Sequence, residues 1–265
     1  MKYTLGFIGC GNMGGALVTA AAKVVDGNKI AVCDFDKAKI EKFEKAYGAV
    51  GATAQEIAKE CRFIVLGVKP QMMAQAVSEF SEVLKTRKDA VVITMAAGLS
   101  ISAIRGFIGA ELPVIRIMPN TPVALGQGMI LYACAGVDET AEREFLACFA
   151  KAGLFDKIPE DKIDAGSALS GCGPAFVYAF AEALADGAVE CGVPRDKAAV
   201  YAAQTLLGAA EMLKEYGHPA DLKDAVCSPG GTTIAGIHAL EKAGFRNAAM
   251  DAVTAAYRRT LELKK

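Results

Sequence analysis

Along the first 155 residues, short apolar runs alternate with stretches in which hydrophobic positions recur every three or four residues. Runs at 5–8, 29–33, 63–68, 90–95 and 114–118 are rich in Val, Ile and Leu and predict buried strands. Helical periodicity at 14–25, 37–47, 71–84 and 100–107 separates them, which is the strand–helix–strand rhythm of a parallel sheet covered on both faces. A further strand at 129–134 and a helix at 139–151 close this part. The expectation is a doubly wound α/β fold.

Beyond a short polar stretch at 157–162 the strand signals stop and only helical patterns remain. Pro174 opens a helix that Gly192 closes, Pro194 opens the next, closed by Gly217, and Gly244 separates the last two. In the helix after Pro174, Glu182, Asp186 and Glu190 fall on one line at four-residue spacing. Phe176, Val177, Phe180, Ala181, Leu184, Ala188 and Val189 occupy most of the remaining circumference. Such a helix needs cover on several sides, which a domain of about a hundred residues struggles to supply alone. A dimer built through this domain satisfies that need; a central helix within one subunit is the alternative.

Composition narrows the partners. The chain has 265 residues, 53% of them hydrophobic, and a formal charge of -1 with acids and bases interspersed, so it shows no footprint for nucleic acid or an anionic membrane. No apolar run reaches membrane-spanning length on this reading, because Glu182 and Asp186 interrupt the Ala-rich stretch at 175–189. The N-terminus enters a strand pattern directly, without a signal peptide. The 8 cysteines form no C-x-x-C pair and sit in apolar segments, as small core residues do in a reducing cytoplasm. The 2 histidines, His218 and His238, have no partner at ligand spacing, so no metal site is expected.

The candidate chemistry begins at Gly9-Cys10-Gly11-Asn12-Met13-Gly14, which follows Ile8 at the end of the first strand and opens the first helix. The motif alone is weak, but strand, glycines, helix, second strand and an acidic Asp34 follow in the order a dinucleotide site requires. Gly9 makes the tight turn, Gly11 admits the pyrophosphate, and Gly14 lets helix pack on strand. The first domain, 1–156, is therefore expected to be a Rossmann-type dinucleotide-binding domain, followed over 157–265 by an all-helical substrate-binding and dimerisation domain. Asp34 suits a free ribose 2′-hydroxyl and leans towards NADH, while Lys37 and Lys39 are near enough to compensate a phosphate; the cofactor stays NAD(P)H. Val68-Lys69-Pro70 and Ala96-Ala97-Gly98 end two further strands where the fold places its ligand, the latter small enough for a nicotinamide ring to lie against. Arg116-Ile117-Met118-Pro119-Asn120-Thr121-Pro122 is a rigid turn, suited to a pocket wall or to a plain turn. Near the chain's end, Val226-Cys227-Ser228-Pro229-Gly230-Gly231-Thr232-Thr233-Ile234 packs glycines, a proline and hydroxyls into a helix entrance. It reads either as an ordinary cap or as a seat for a small anion.

Together these segments, with Ala168-Leu169-Ser170-Gly171-Cys172-Gly173-Pro174-Ala175-Phe176, resemble the pyrroline-5-carboxylate reductase family along the whole chain. The stretch 226–234 is the most specific of them. The resemblance implies reduction of the cyclic imine 1-pyrroline-5-carboxylate to L-proline, the last step of proline synthesis, by hydride from NADPH or NADH. It further implies substrate contacts from Val226, Ser228, Gly230, Gly231, Thr232 and Thr233, with the Thr233 hydroxyl at the ring nitrogen. It also implies a homodimer whose helical domains are exchanged, so that one chain's nucleotide faces its partner's 226–234 segment, with assembly as far as a decamer left open. Two positions depart from the family's pattern: Asp34-Phe35 replaces a small polar residue sometimes followed by arginine, and Ala225 replaces an asparagine seen in some members.

Other classes fit less well. β-Hydroxyacid dehydrogenases share the first glycine motif, but their catalytic lysine has no counterpart after Gly171-Cys172-Gly173. No tyrosine has a lysine four residues on, and neither a Gly-x-Ser-x-Gly elbow nor a Walker lysine occurs. A nucleotide-sensing protein that retains the fold without catalysis is the non-enzymatic alternative.

Overall fold

The computed structural model describes residues 1–263. It divides into two compact units, Met1–Cys172 together with the chain end from Ala256, and Gly173–Ala255.

The first unit is built on an eight-stranded sheet. The strands are β1 (Tyr3–Ile8), β2 (Ile30–Cys33), β3 (Val50–Gly51), β4 (Cys61–Leu66), β5 (Val91–Thr94), β6 (Val114–Met118), β7 (Gly128–Ala135) and β8 (Gly153–Lys157). Their order across the sheet is β3-β2-β1-β4-β5-β6-β7-β8. The first six run parallel; β7 is antiparallel to β6 and β8 parallel to β7. The expected doubly wound sheet is thus present, with a reversed pair added at one edge.

Helices α1 (Asn12–Ala21), α2 (Lys37–Tyr47), α3 (Ala54–Glu60), α4 (Met73–Ser78), α5 (Ser81–Lys85), α6 (Ile101–Ile108), α7 (Glu139–Cys148) and α8 (Glu160–Ser170) cover it. Strand alternation feeds two apolar layers. Phe7, Val32, Phe63, Val65 and Ile117 pack with Leu17 of α1 and Phe145 of α7 on one face. Ile64, Leu66, Val92 and Val114 pack with Ile57, Val77, Ile104 and Ile163 on the other.

Several boundaries differ from expectation for local reasons. The helix expected at 71–84 is a 3-10 turn at Pro70–Met72 followed by α4 and α5, with Phe80 buried at the break. Strand β3 is too short to produce a pattern, and α3 carries a Thr53–Glu56 capping box that marks its start. The polar stretch at 157–162 is the end of β8 and the acidic first turn of α8. The expected boundary at 156/157 marks the end of the sheet, whereas the compact units divide at Cys172. One stretch, Glu160–Glu190, is long and apolar enough to cross a membrane by length and composition, which corrects the expectation that none is. Gly171 and Cys172 lie between α8, whose Ile163, Asp164 and Ala168 are buried, and the next helical segment.

The second unit is helical throughout: α9 (Gly173–Glu190), α10 (Arg195–Tyr216), α11 (Pro219–Ala225), α12 (Thr232–Lys242) and the start of α13 (Phe245–Glu262). Its core is small, with Ala185 meeting Ala198 and Ala202 where α9 and α10 pair. Large apolar side chains instead face outward, among them Val177, Tyr178 and Leu184 on α9 and Val200, Tyr201 and Leu207 on α10. An exposed apolar face of this extent marks an interaction surface.

Candidate active site

In the sheet order the chain reverses direction at β1 and β4, and that crevice at the carboxyl ends of the strands is where this topology binds its ligands. Because β1, β2, β4, β5 and β6 are parallel, Gly9, Asp34, Val68, Ala96 and Pro119 all fall at one edge of the sheet.

The glycine loop takes the shape its residues dictate. Gly9 has φ 96°, a region only glycine enters freely, and a Cβ there would lie 2.7 Å from the Gly67 carbonyl carbon. Gly14 and Gly67 each lie against the Gly9 carbonyl oxygen, with no room for a side chain. Gly11 differs: a Cβ there would meet no atom within 4 Å. It caps α1 in extended backbone with no side-chain acceptor, so the helix N-terminus opens onto free space. That cradle, which a side chain would fill, fits a pyrophosphate held at the positive end of α1.

A cleft of about 300 Å³ opens beside it and includes Ile8, Gly9, Gly11, Asp34, Val68 and Lys69 of the expected residues. The Asp34 carboxylate is fixed at its rim. Its Oδ2 accepts the Cys10 N–H at 2.7 Å, and its Oδ1 accepts the Asp36 N–H at 3.0 Å and Lys39 Nζ at 3.3 Å. Partial burial pushes its pKa up, but these donors outweigh that and hold it below the usual carboxylate value. Cys10 itself is inert: burial first, then the Asp34 carboxylate, push its thiol up to about 12.

The remaining expected residues have other places. Asn12 lines a second cavity across the loop, with Cys10, Gly11, Lys39, Lys42 and Thr121. Met13 is half-buried in α1, and Pro70 begins the 3-10 turn after β4. Ala96, Ala97 and Gly98 end β5 outside the lining of the first cleft; Ala96 is buried, and Gly98 turns at φ 78° into α6. Asn120, in the double-proline turn, is structural. Its Oδ1 accepts the Met129 N–H at 3.0 Å and its Nδ2 donates to the Ser170 carbonyl at 2.9 Å.

Residues not singled out from the sequence also contribute. Gly67, Met72 and Glu79 line the cleft. Arg116, expected within the buried strand at 114–118 and in the segment that ends it but given no role, is almost wholly buried in β6 and donates to Asp164 of α8 at 2.6 Å and to Glu160 at 3.4 Å. Glu160 Oε1 also accepts the Ile101 N–H at 2.7 Å, so one ionic cluster ties β6 and α8 to the start of α6, just past the Ala96–Gly98 turn. A conspicuous arginine inside an apolar strand was the available signal.

In the helical unit, the segment 226–234 forms a tight turn followed by α12. The Gly231 N–H donates to the Ser228 carbonyl at 3.0 Å, and Gly230 takes φ 68°. Gly231 caps α12 with no side-chain acceptor, leaving the first N–H groups of an eleven-residue helix without a side-chain cap. Val226, Ser228, Gly230, Thr232 and Thr233 are exposed, and Gly231 is half-buried. An ordinary cap would satisfy its helix with the Ser or Thr oxygen; here no side chain makes that bond.

A Rossmann sheet with an open glycine cradle and a carboxylate at the ribose end defines a nicotinamide-nucleotide oxidoreductase. Comparison with known proteins makes the assignment particular. Residues 160–263 match the model of pyrroline-5-carboxylate reductase dimerisation, and residues 4–98 match that of coenzyme F420-dependent NADP oxidoreductases. The chain is 43% identical to pyrroline-5-carboxylate reductase 3 of Danio rerio, across 99% of this chain and 92% of that protein. Among solved structures it resembles the pyrroline-5-carboxylate reductase of Coxiella burnetii, with TM-score 0.91, 31% identity and full coverage of both chains. The Plasmodium falciparum enzyme with NADP bound gives TM-score 0.88 and 31% identity, also over both full chains. The chain belongs to the pyrroline-5-carboxylate reductase family.

Proposed function

We propose that the protein reduces the C=N bond of 1-pyrroline-5-carboxylate to give L-proline. The observation that supports this best is the open, uncapped start of α12, which joins a carboxylate seat to exposed Ser and Thr residues in a chain that also carries a nucleotide cleft. The nicotinamide, when bound, supplies the hydride.

The chain's own residues have the remaining tasks. Backbone N–H groups at Thr232 and Thr233 accommodate the substrate carboxylate, the Gly231 N–H being turned to the Ser228 carbonyl, with the Ser228 hydroxyl as a further donor. The turn at Gly230 lets the ligand approach the backbone without meeting a side chain. Thr233 directs its hydroxyl at the ring nitrogen. A threonine is too weak an acid to protonate the imine by itself, so it orients the ring or relays a proton from water. Ile8, the loop from Gly9 to Gly14, Asp34, Val68, Lys69 and Pro70 hold the nucleotide, and the small Ala96-Ala97-Gly98 turn gives its ring a flat wall.

The same reading makes the protein a cytoplasmic homodimer, paired through the apolar faces of α9 and α10, with the substrate segment of one chain serving the nucleotide of its partner. The exposed apolar side chains support the pairing, and the eight free cysteines fit a reducing compartment. Steady-state kinetics of Thr233→Ala test the catalytic assignment. The expected loss in kcat/KM is about a hundredfold, with Thr233→Ser largely restoring it. An unchanged kcat/KM would remove Thr233 from the mechanism.

A further inference from the structure

We propose that Asp34 makes this chain NADH-selective, accepting a hydrogen bond from the free 2′-hydroxyl of the adenosine ribose and rejecting a 2′-phosphate. The proposal rests on the reading of the cleft as a nicotinamide-nucleotide site. A carboxylate offers about four acceptor positions. Three are taken, by the N–H groups of Cys10 and Asp36 and by Lys39, leaving one, which matches a single hydroxyl donor.

The side chain is 11% exposed and cannot swing away from a phosphate without breaking those bonds. Since its donors hold it ionised, a 2′-phosphate would meet a fixed negative charge. The surrounding charges do not reverse this: Lys37, exposed at the first position of α2, is outside the cleft's lining. Lys39, on α2, is already paired with Asp34, and the Asp36 carboxylate is held at the start of that helix by the Ala38 N–H. Glu79 adds a second carboxylate to the cleft against Lys69, and Lys42 lines the other cavity, across the glycine loop. Phe35, next to Asp34 in the cleft's lining, presents an exposed ring and no cation.

Equilibrium titration of the purified full-length protein with NADH and NADPH, without imine, tests this. The expected dissociation constant for NADH is lower by at least about tenfold, a modest yield from one like-charge contact. Asp34→Asn keeps the shape and removes the charge, and should tighten NADPH until the two differ by less than about threefold. Competition between AMP and adenosine 2′,5′-bisphosphate on the unmodified protein repeats the comparison without any variant, AMP being expected to win. Equal or tighter binding of the 2′-phosphorylated form, or a ratio unmoved by Asp34→Asn, would overturn the proposal. Failure to bind either dinucleotide would overturn the reading of the cleft as well. Binding without imine turnover would remove only the proposed reaction.

Discussion

At the scale of single residues, the glycines separate what the fold needs from what a ligand needs. Gly9 and Gly14 are demanded by the chain itself, through positive φ or close backbone approach, whereas nothing in the chain forbids a side chain at Gly11. Gly11→Val is therefore expected to melt within a few degrees of the parent while losing nucleotide affinity by at least about tenfold, measured by thermal unfolding and titration. Arg116 poses the opposite case, a residue wholly absorbed by structure. Replacing it with methionine leaves the Asp164 carboxylate buried without its cation, and urea unfolding should show a loss of about 3 to 5 kcal/mol. Asp34 and the glycines were legible in the sequence because their spacing is fixed by one strand–helix–strand unit, β1-α1-β2. The Arg116–Asp164 pair was not, since its partners are 48 positions apart and only strand order brings them together.

Among the elements, strands buried on both faces were readable as continuous apolar runs, and the outermost ones were not. β6 at Val114–Met118 appears as expected because every residue in it is buried. β8 went unread because Gly153–Lys157 is half exposed, and its pairing with β7 is supported from outside the strand. Glu142 of α7 supplies that support, bonding Tyr132 of β7 at 2.9 Å and Lys157 of β8 at 2.6 Å. The Lys157 ammonium, opposed by burial and aided by Tyr132, holds the Glu142 carboxyl below its ordinary 4.5. A depressed carboxyl stabilises the fold above its ordinary value and loses that contribution as pH falls below it. The stability difference between the parent and Glu142→Gln is thus expected to shrink as pH is lowered from 4.5, followed by denaturant unfolding at several pH values. A difference that stays constant with pH would mean that the clamp carries no ionic stabilisation.

For the whole molecule, the change from alternating strands and helices to helices alone gave the two-part architecture directly. The apolar circumference of α9 pointed to a surface that one chain leaves uncovered, and the exposed residues of α9 and α10 agree. Less legible were the short helices between the large elements, such as α3 and α11 at 7 residues each, whose patterns are too brief to stand out. The segment at 226–234 was the reverse: its composition announced a helix entrance, and the structure shows that entrance without a side-chain cap. Whether these parts act together as an imine reductase is decided by one assay of the purified protein with 1-pyrroline-5-carboxylate and either reduced nucleotide. The account predicts L-proline formed in equal amount to the nucleotide oxidised. Nucleotide binding with no proline from either cofactor would contradict it and leave a nucleotide sensor on the same fold.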